Sequence, residues 1–177
     1  MGKIKRYISF FQKLHFACLT DGYARANYLR KHHLLAEIGE HVYFYSRIFP
    51  ADPKLLKIHD NVCIATNVRF VGHDRIDIVL SGLFDREYKK SYGCIEVENN
   101  VFIGADSVIL PNVHIGKNNI IGAGAVVTKD LPPGGIWGGV PAKRIGSFDE
   151  LIEKRRGILE PKNITSELWN DFYQERN

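Results

Sequence analysis

The sequence predicts an all-β chain: a parallel β-helix of six-residue repeats with short helical segments at both ends. Three observations carry that expectation. Val97, Ile103, Ile109, Ile115, Ile121 and Val127 stand six apart, and each is Val or Ile. The residue four further on is small or apolar at Val101, Ser107, Val113, Ala125 and Leu131, with Asn119 the exception. Gly follows the aliphatic residue at Gly104, Gly116 and Gly122. Neither the helical period of 3.6 nor the strand period of 2.0 explains a repeat of six. A parallel coil does, because each hexad forms one flat side and turns a corner before the next. The aliphatic residue then points inward, and stacked turns bury a column of branched side chains.

Taken in chain order, residues 1–37 read as a helical cap. Tyr7, Phe10, Phe11, Leu14 and Cys18 fall near one face of a first helix, and Tyr28, Leu29, Leu34 and Leu35 follow Asp21-Gly22. The opening Met1-Gly2-Lys3-Ile4-Lys5-Arg6 is basic, and Gln12, Lys13 and His15 interrupt the apolar run too early for a membrane span. No small-residue cleavage site follows an uninterrupted apolar core, as a signal peptide requires. A basic amphipathic helix can lie on a membrane surface, but the open end of a repeat stack needs a cap. Docking of these helices onto the coil is expected, and membrane contact is not.

Residues 38–146 are the repeat domain. Ile38-Gly39-Glu40-His41-Val42 marks a partial first turn; Ile58, Ile64 and Phe70 then repeat at six, with Val62 and Val68 four after the first two. The repeat lapses over 77–94, a stretch holding Gly82, Gly93 and six charged residues. It reads as an excursion from the coil, and long insertions of this kind are often functional. Residues 147–177 form a helical extension: Ser147-Phe148-Asp149-Glu150 is a capping box opening a helix through about Arg156, and a second helix covers Thr165–Gln174 after Pro161.

Composition bounds the function. A chain of 177 residues, 45% hydrophobic, is one globular domain with small appendages. The net charge of +4 is mild and contains no run of five like charges, which argues against a nucleic-acid binder and suits a polyanionic small molecule. Cys18, Cys63 and Cys94 are odd in number and form no Cys-x-x-Cys pair, so there is no disulfide framework or zinc motif, and a reducing, cytoplasmic compartment is expected.

Ile121-Gly122-Ala123-Gly124-Ala125-Val126-Val127-Thr128-Lys129-Asp130-Leu131-Pro132-Pro133, followed by Gly138-Gly139-Val140-Pro141-Ala142-Lys143, resembles the hexapeptide-repeat acyltransferases, nearest the galactoside, maltose and colanic-acid-type O-acetyltransferases. The likeness runs from about Ile58 to Ile145. It implies a left-handed β-helix, acetyl-CoA as donor, and a homotrimer with active sites between subunits. The hand comes from the resemblance alone, since parallel crossovers are right-handed in about 98% of cases.

Acetyl transfer to a hydroxyl needs a base, and histidine titrates where one is useful. His15, His32 and His33 precede the repeats; His41 and His59 occupy outward positions; His114 precedes Ile115 at a corner. His73, in Val71-Gly72-His73-Asp74, lies where the register fails, and the resemblance assigns the catalytic base to a Gly-His at this point. His73 would take the acceptor proton and return it to the CoA thiolate, with a backbone N–H holding the oxyanion. Asp74 is a candidate to orient the imidazole or the acceptor, and equally a turn residue. A Cys94-centred acyl-enzyme is the competing mechanism.

For the donor, the resemblance places Ala105 and Ala123 along the pantetheine arm. Thr128 and Lys129 would meet the phosphates, with Lys143 or Arg144 near the 3′-phosphate and Trp137 either beside adenine or simply packed. Arg86, Glu87, Tyr88 and Tyr92 of the excursion are candidate acceptor-binding groups. Two other readings stand beside sugar O-acetylation. One is N-acylation of a nucleotide-linked amino sugar; the other is a non-catalytic scaffold or metal hydratase. The hydratase would need three converging histidines, and no metal is expected.

Overall fold

A computed structural model describes residues 2–157 and 164–174. Two helices, α1 (Gly2–Cys18) and α2 (Gly22–Lys31), lead into β1 (Glu37–Ile38) and β2 (Tyr43–Phe44). Next come β3 (Leu56–Ile58), β4 (Val62–Ile64) and β5 (Arg69–Phe70), then α3 (Ile76–Phe84). The repeats continue through β6 (Ile95–Val97), β7 (Val101–Ile103), β8 (Val108–Ile109), β9 (Val113–Ile115), β10 (Asn119–Ile121) and β11 (Val126–Val127). The chain closes with β12 (Gly135–Gly138), β13 (Lys143–Ser147), α4 (Phe148–Arg155) and α5 (Ile164–Gln174).

The strands sort into three sheets, ordered β1-β3-β6-β9, β13-β12-β10-β7-β4-β2 and β11-β8-β5. From β3 to β11 the chain visits them in strict rotation, each strand parallel to the one a full turn earlier. That is the order of a three-sided parallel coil. Ile58, Ile64, Val97, Ile103, Ile109, Ile115, Ile121 and Val127 are fully buried. A buried aliphatic side chain stabilises by about 1.5–3 kcal/mol, so this column is the main source of stability. Among the described strands, β13 alone turns back antiparallel, on β12, and it ends the stack.

The corners have their own chemistry. His41, Asn61, Asn67, Asn100, Asp106, Asn112 and Asn118 have φ of 54° to 60°, and Gly124 has 70°. Each stands three residues after an inward aliphatic. Asn, Asp and Gly tolerate the left-handed region best. The corner amides also form a ladder: Asn61 Nδ2 donates to Asn100 Oδ1 at 2.8 Å, and Asn100 Nδ2 to Asn118 Oδ1 at 2.9 Å.

The helices depart from expectation in three places. Phe16 is the α1 residue that enters the core, edge-on to Phe44 and Phe49 at 5.6 and 5.3 Å, while Phe10, Phe11, Leu14 and Cys18 are exposed. The expected docking face is thus the outward one; Tyr7, the remaining member of it, lies outside the described side chains. The excursion is not a loop throughout, since its first half is α3. Ser147 is the N-cap of α4 but makes no side-chain capping bond. Pro161 lies outside the described residues.

A buried Arg25 ties α2 to the first turn. Its Nε and Nη2 donate to the carbonyls of Phe44 and Tyr45 at 2.8 and 2.9 Å, Nη1 donates to Leu19 O, and the guanidinium lies 5.2 Å from the Tyr45 ring. Burial lowers its pKa below the ordinary value, and the three carbonyls compensate the desolvation.

Candidate functional site

The coil edge that follows β5 is where the chain leaves the repeat. Val71 N–H still donates to Ile109 O at 2.9 Å, and the next two residues depart. A Cβ on Gly72 would stand 2.8 Å from Asp52 Cβ and 2.9 Å from its Oδ2. Glycine there lets Asp52 reach His73, and the Asp52 carboxylate accepts a hydrogen bond from His73 Nδ1. A carboxylate can only accept, so Nδ1 carries a proton, and in the neutral imidazole the lone pair is then on Nε2. His73 and Asp52 are partly shielded, their side chains 26% and 19% exposed.

The returning limb of the excursion completes this end. Gly93 N–H donates to Gly72 O at 2.9 Å and Asp74 N–H to Ser91 O at 3.3 Å, pairing His73 with Tyr92 antiparallel. The Tyr92 ring lies 5.9 Å from the imidazole, and Lys90 Nζ stands 4.7 Å from the centroid of the same Tyr92 ring. Beside His73 a cleft of about 240 Å³ is lined by Ile48, Phe49, Pro50, Ala51 and Phe70. Of the excursion residues named from sequence, Tyr92 reaches His73; Arg86 packs over Tyr88 at 4.6 Å. The Asp74 carboxylate accepts from Ile76 N–H at 3.1 Å, at the head of α3.

A second cleft of about 240 Å³ is lined by Thr128, Lys129, Asp130, Trp137, Pro141 and Lys143, among others. Two ammonium groups, a hydroxyl and an indole suit a phosphorylated, aromatic ligand. Arg144 is directed elsewhere, donating to Gly146 O and Gly134 O at 3.2 and 3.1 Å. Ala105 and Ala123 sit on a different corner, stacked one turn apart, with Gly124 N–H donating to Ala105 O at 2.7 Å. Within one chain, therefore, Thr128, Lys129 and Lys143 share a cleft, whereas the alanines lie across the β5-β8-β11 sheet from His73.

Two other histidines of the repeats have carboxylate partners. His114 Nε2 lies 3.0 Å from Glu98 Oε1, and His59 Nε2 lies 2.8 Å from Glu96 Oε1. The His59 hydrogen bond, with its charge, holds the Glu96 carboxyl below its ordinary pKa. A carboxyl depressed on folding contributes stability above its unfolded pKa and loses it as pH falls through the folded one. His59→Ala is expected to raise the Glu96 pKa and remove this part of the acid sensitivity, read by NMR titration of Glu96. Cys94 is exposed, and burial pushes the Cys63 thiol up.

Asp52 is the functional candidate that sequence reasoning missed. It lies 21 residues from His73, in a stretch outside the six-residue register. Its only local mark is Asp-Pro, which signals a turn.

Residues 95–129 match the family model described as bacterial transferase hexapeptide (six repeats). Protein CapG of Staphylococcus aureus is 41% identical over 124 residues, 68% of this chain and 67% of its own length. Galactoside O-acetyltransferase of Escherichia coli (strain K12) is 38% identical over 115 residues, 64% of this chain. The chain spans only 54% of that relative's length. A maltose O-acetyltransferase from Clostridium difficile 630 superposes with a TM-score of 0.61 at 26% identity, covering 80% of this chain and 85% of the other. With the rotation of strands through three sheets, these matches establish that the chain belongs to the hexapeptide-repeat family of bacterial transferases.

Proposed function

We propose that the protein is an acetyl-CoA-dependent O-acetyltransferase acting on a hydroxyl of a sugar or polysaccharide precursor. The observation that carries this is the Asp52–His73 pair, in which Nδ1 is held by the carboxylate and the ring lies beside Tyr92 and lines an apolar cleft. The names of the two O-acetyltransferase relatives support the reaction class. His73 Nε2 takes the proton of the acceptor hydroxyl as its oxygen bonds to the acetyl carbon. The C–S bond breaks, and His73 returns the proton to the thiolate. Asp52 orients the ring and stabilises the imidazolium during the exchange. Lys129 and Lys143, with Thr128, hold the donor phosphates, and Ala105 and Ala123 offer backbone along the narrow arm. Asp74 acts from the α3 head, shaping the turn beside the acceptor.

On this reading the coil is left-handed and the enzyme is a cytoplasmic homotrimer in which one subunit's His73 meets another's alanine corner. Two apolar surfaces support assembly. On α3, Ile76, Ile78, Val79, Leu83 and Phe84 are 56–70% exposed, and the outward row Tyr43, Cys63, Phe102, Ile120, Ile136 is apolar in register across its sheet. Val79→Asp with Leu83→Asp is expected to shift the trimer to monomer in light scattering with little change in monomer helicity, because both side chains are exposed.

The reaction class is tested by thiol release from acetyl-CoA across matched hydroxyl and amino sugars. Turnover with a hydroxyl acceptor is the expected result. Transfer to amines alone would replace the reading with N-acylation, and failure to bind acetyl-CoA would leave a scaffold.

A further inference from the structure

Helix α1 carries apolar residues on two sides. Phe16 points into the core, and the opposite side shows Phe10, Phe11 and Leu14 at 60%, 63% and 49% exposure. Such a face on a terminal helix needs an occupant. The charge around it says which. Residues 1–36 hold seven Lys and Arg against one Asp, whereas residues 37–177 hold 17 against 19 acidic groups. Arg25 is buried on backbone carbonyls and Arg30 pairs with Glu40, so the α1 sequence itself contributes four Lys and Arg and no acidic residue. The whole positive excess of the chain is thus concentrated on the segment bearing this face. α3 is a contrast, because its sequence has an acidic Asp77 and no Lys or Arg.

A groove between α1 and α2 continues the same surface. It is lined by Phe11, Gln12, His15, Tyr28, Lys31 and His32, with a volume of about 560 Å³. His15 stacks on Tyr28 at 4.9 Å, and Tyr28 meets His32 at 4.5 Å. Phe11 belongs to both the groove and the exposed face. Donors of the Lys and imidazole type beside an aromatic wall match an anionic headgroup, and the adjoining Phe and Leu side chains match acyl chains. Among the described residues no helix is long and apolar enough to cross a membrane, so the contact is one of lying on the surface.

We infer that α1 and the α1–α2 groove dock the protein on an anionic lipid bilayer, with Phe10, Phe11 and Leu14 in the acyl boundary and Lys31 and His32 of the groove at the phosphates. Attraction of this kind is screened by salt and absent from neutral lipid. The surface is separate from His73, so docking does not depend on the reaction proposed above.

The test is sedimentation of the full chain with phosphatidylglycerol-containing vesicles and with pure phosphatidylcholine vesicles. The wild type is expected to bind the first at least tenfold more strongly than the second, and to be released by high salt. Phe10→Ser with Phe11→Ser should weaken binding about tenfold at unchanged Tm. Lys31→Glu with His32→Glu should abolish the preference for anionic lipid. No binding by the wild type overturns the inference. So does a change of oligomeric state in Phe10→Ser with Phe11→Ser, which would assign the face to a second copy of the chain.

Discussion

His73→Ala is expected to lower acetyl transfer by about 10³-fold, within the range of general-base catalysis, while acetyl-CoA binding and Tm stay near the wild-type values. The side chain is partly exposed and lies outside the buried column, so its removal leaves no cavity. Asp52→Asn separates base from orientation. An Asn amide donates to Nδ1 and moves the ring proton to Nε2, the tautomer that cannot accept from a hydroxyl. Its kcat should fall by about 10²–10³-fold, within what loss of the general base costs, with KM for acetyl-CoA unchanged, and Asp52→Glu should recover part of it. Were Asp52 merely structural, Asn and Glu would act through Tm instead. Full activity in His73→Ala would move the base to His114 or the nucleophile to Cys94.

The coil was legible because its stability comes from one repeated demand: a branched aliphatic every six residues, each fully buried. Its corners were equally written in the sequence. Asn61, Asn67, Asn100, Asp106, Asn112 and Asn118 share the period, and positive φ explains why; the aliphatic signal drew attention from them. The helices were harder. In α1 a large apolar arc suggested the docked face, yet a single residue opposite it, Phe16, fills the space between Phe44 and Phe49. Hydrophobicity alone does not say which of two faces meets a core. The excursion opens with α3, Ile76–Phe84, where Asp74 accepts at the head of the helix; its β-branched residues and Gly82 are weak helix formers, so local propensity did not announce it. Asp52 was not legible, because the contact with His73 joins two off-register segments and depends on the missing Cβ of Gly72.

Asn119→Val would restore the repeat at its one exception, and it is expected to destabilise the protein by about 4 kcal/mol. The estimate takes roughly 1–3 kcal/mol for each buried polar group left without a partner. Asn119 is fully buried. Its Nδ2 donates to Gly116 O at 2.7 Å and Pro132 O at 3.0 Å, and its Oδ1 accepts from Gly135 N–H and Trp137 Nε1–H, both at 2.8 Å. One amide thus joins the fourth turn to β12, where a Cβ on Gly135 would stand 2.4 Å from Trp137 Nε1. Valine matches none of these bonds, so the added apolar contact cannot offset them. Tm should drop by roughly 10 °C for a chain of this size. The effect should reach function, because Trp137 lines the cleft with Thr128, Lys129 and Lys143, and a loosened indole should raise KM for acetyl-CoA. Trp137→Phe is the control: it removes one of the four bonds, costs about 1 kcal/mol, and should raise KM with only a small change in Tm. If Asn119→Val were instead as stable as the wild type, the aliphatic column alone would hold the last turn in place. The exception in the repeat would then have no structural reason, and the cleft would owe its shape to the antiparallel pairing of β12 with β13.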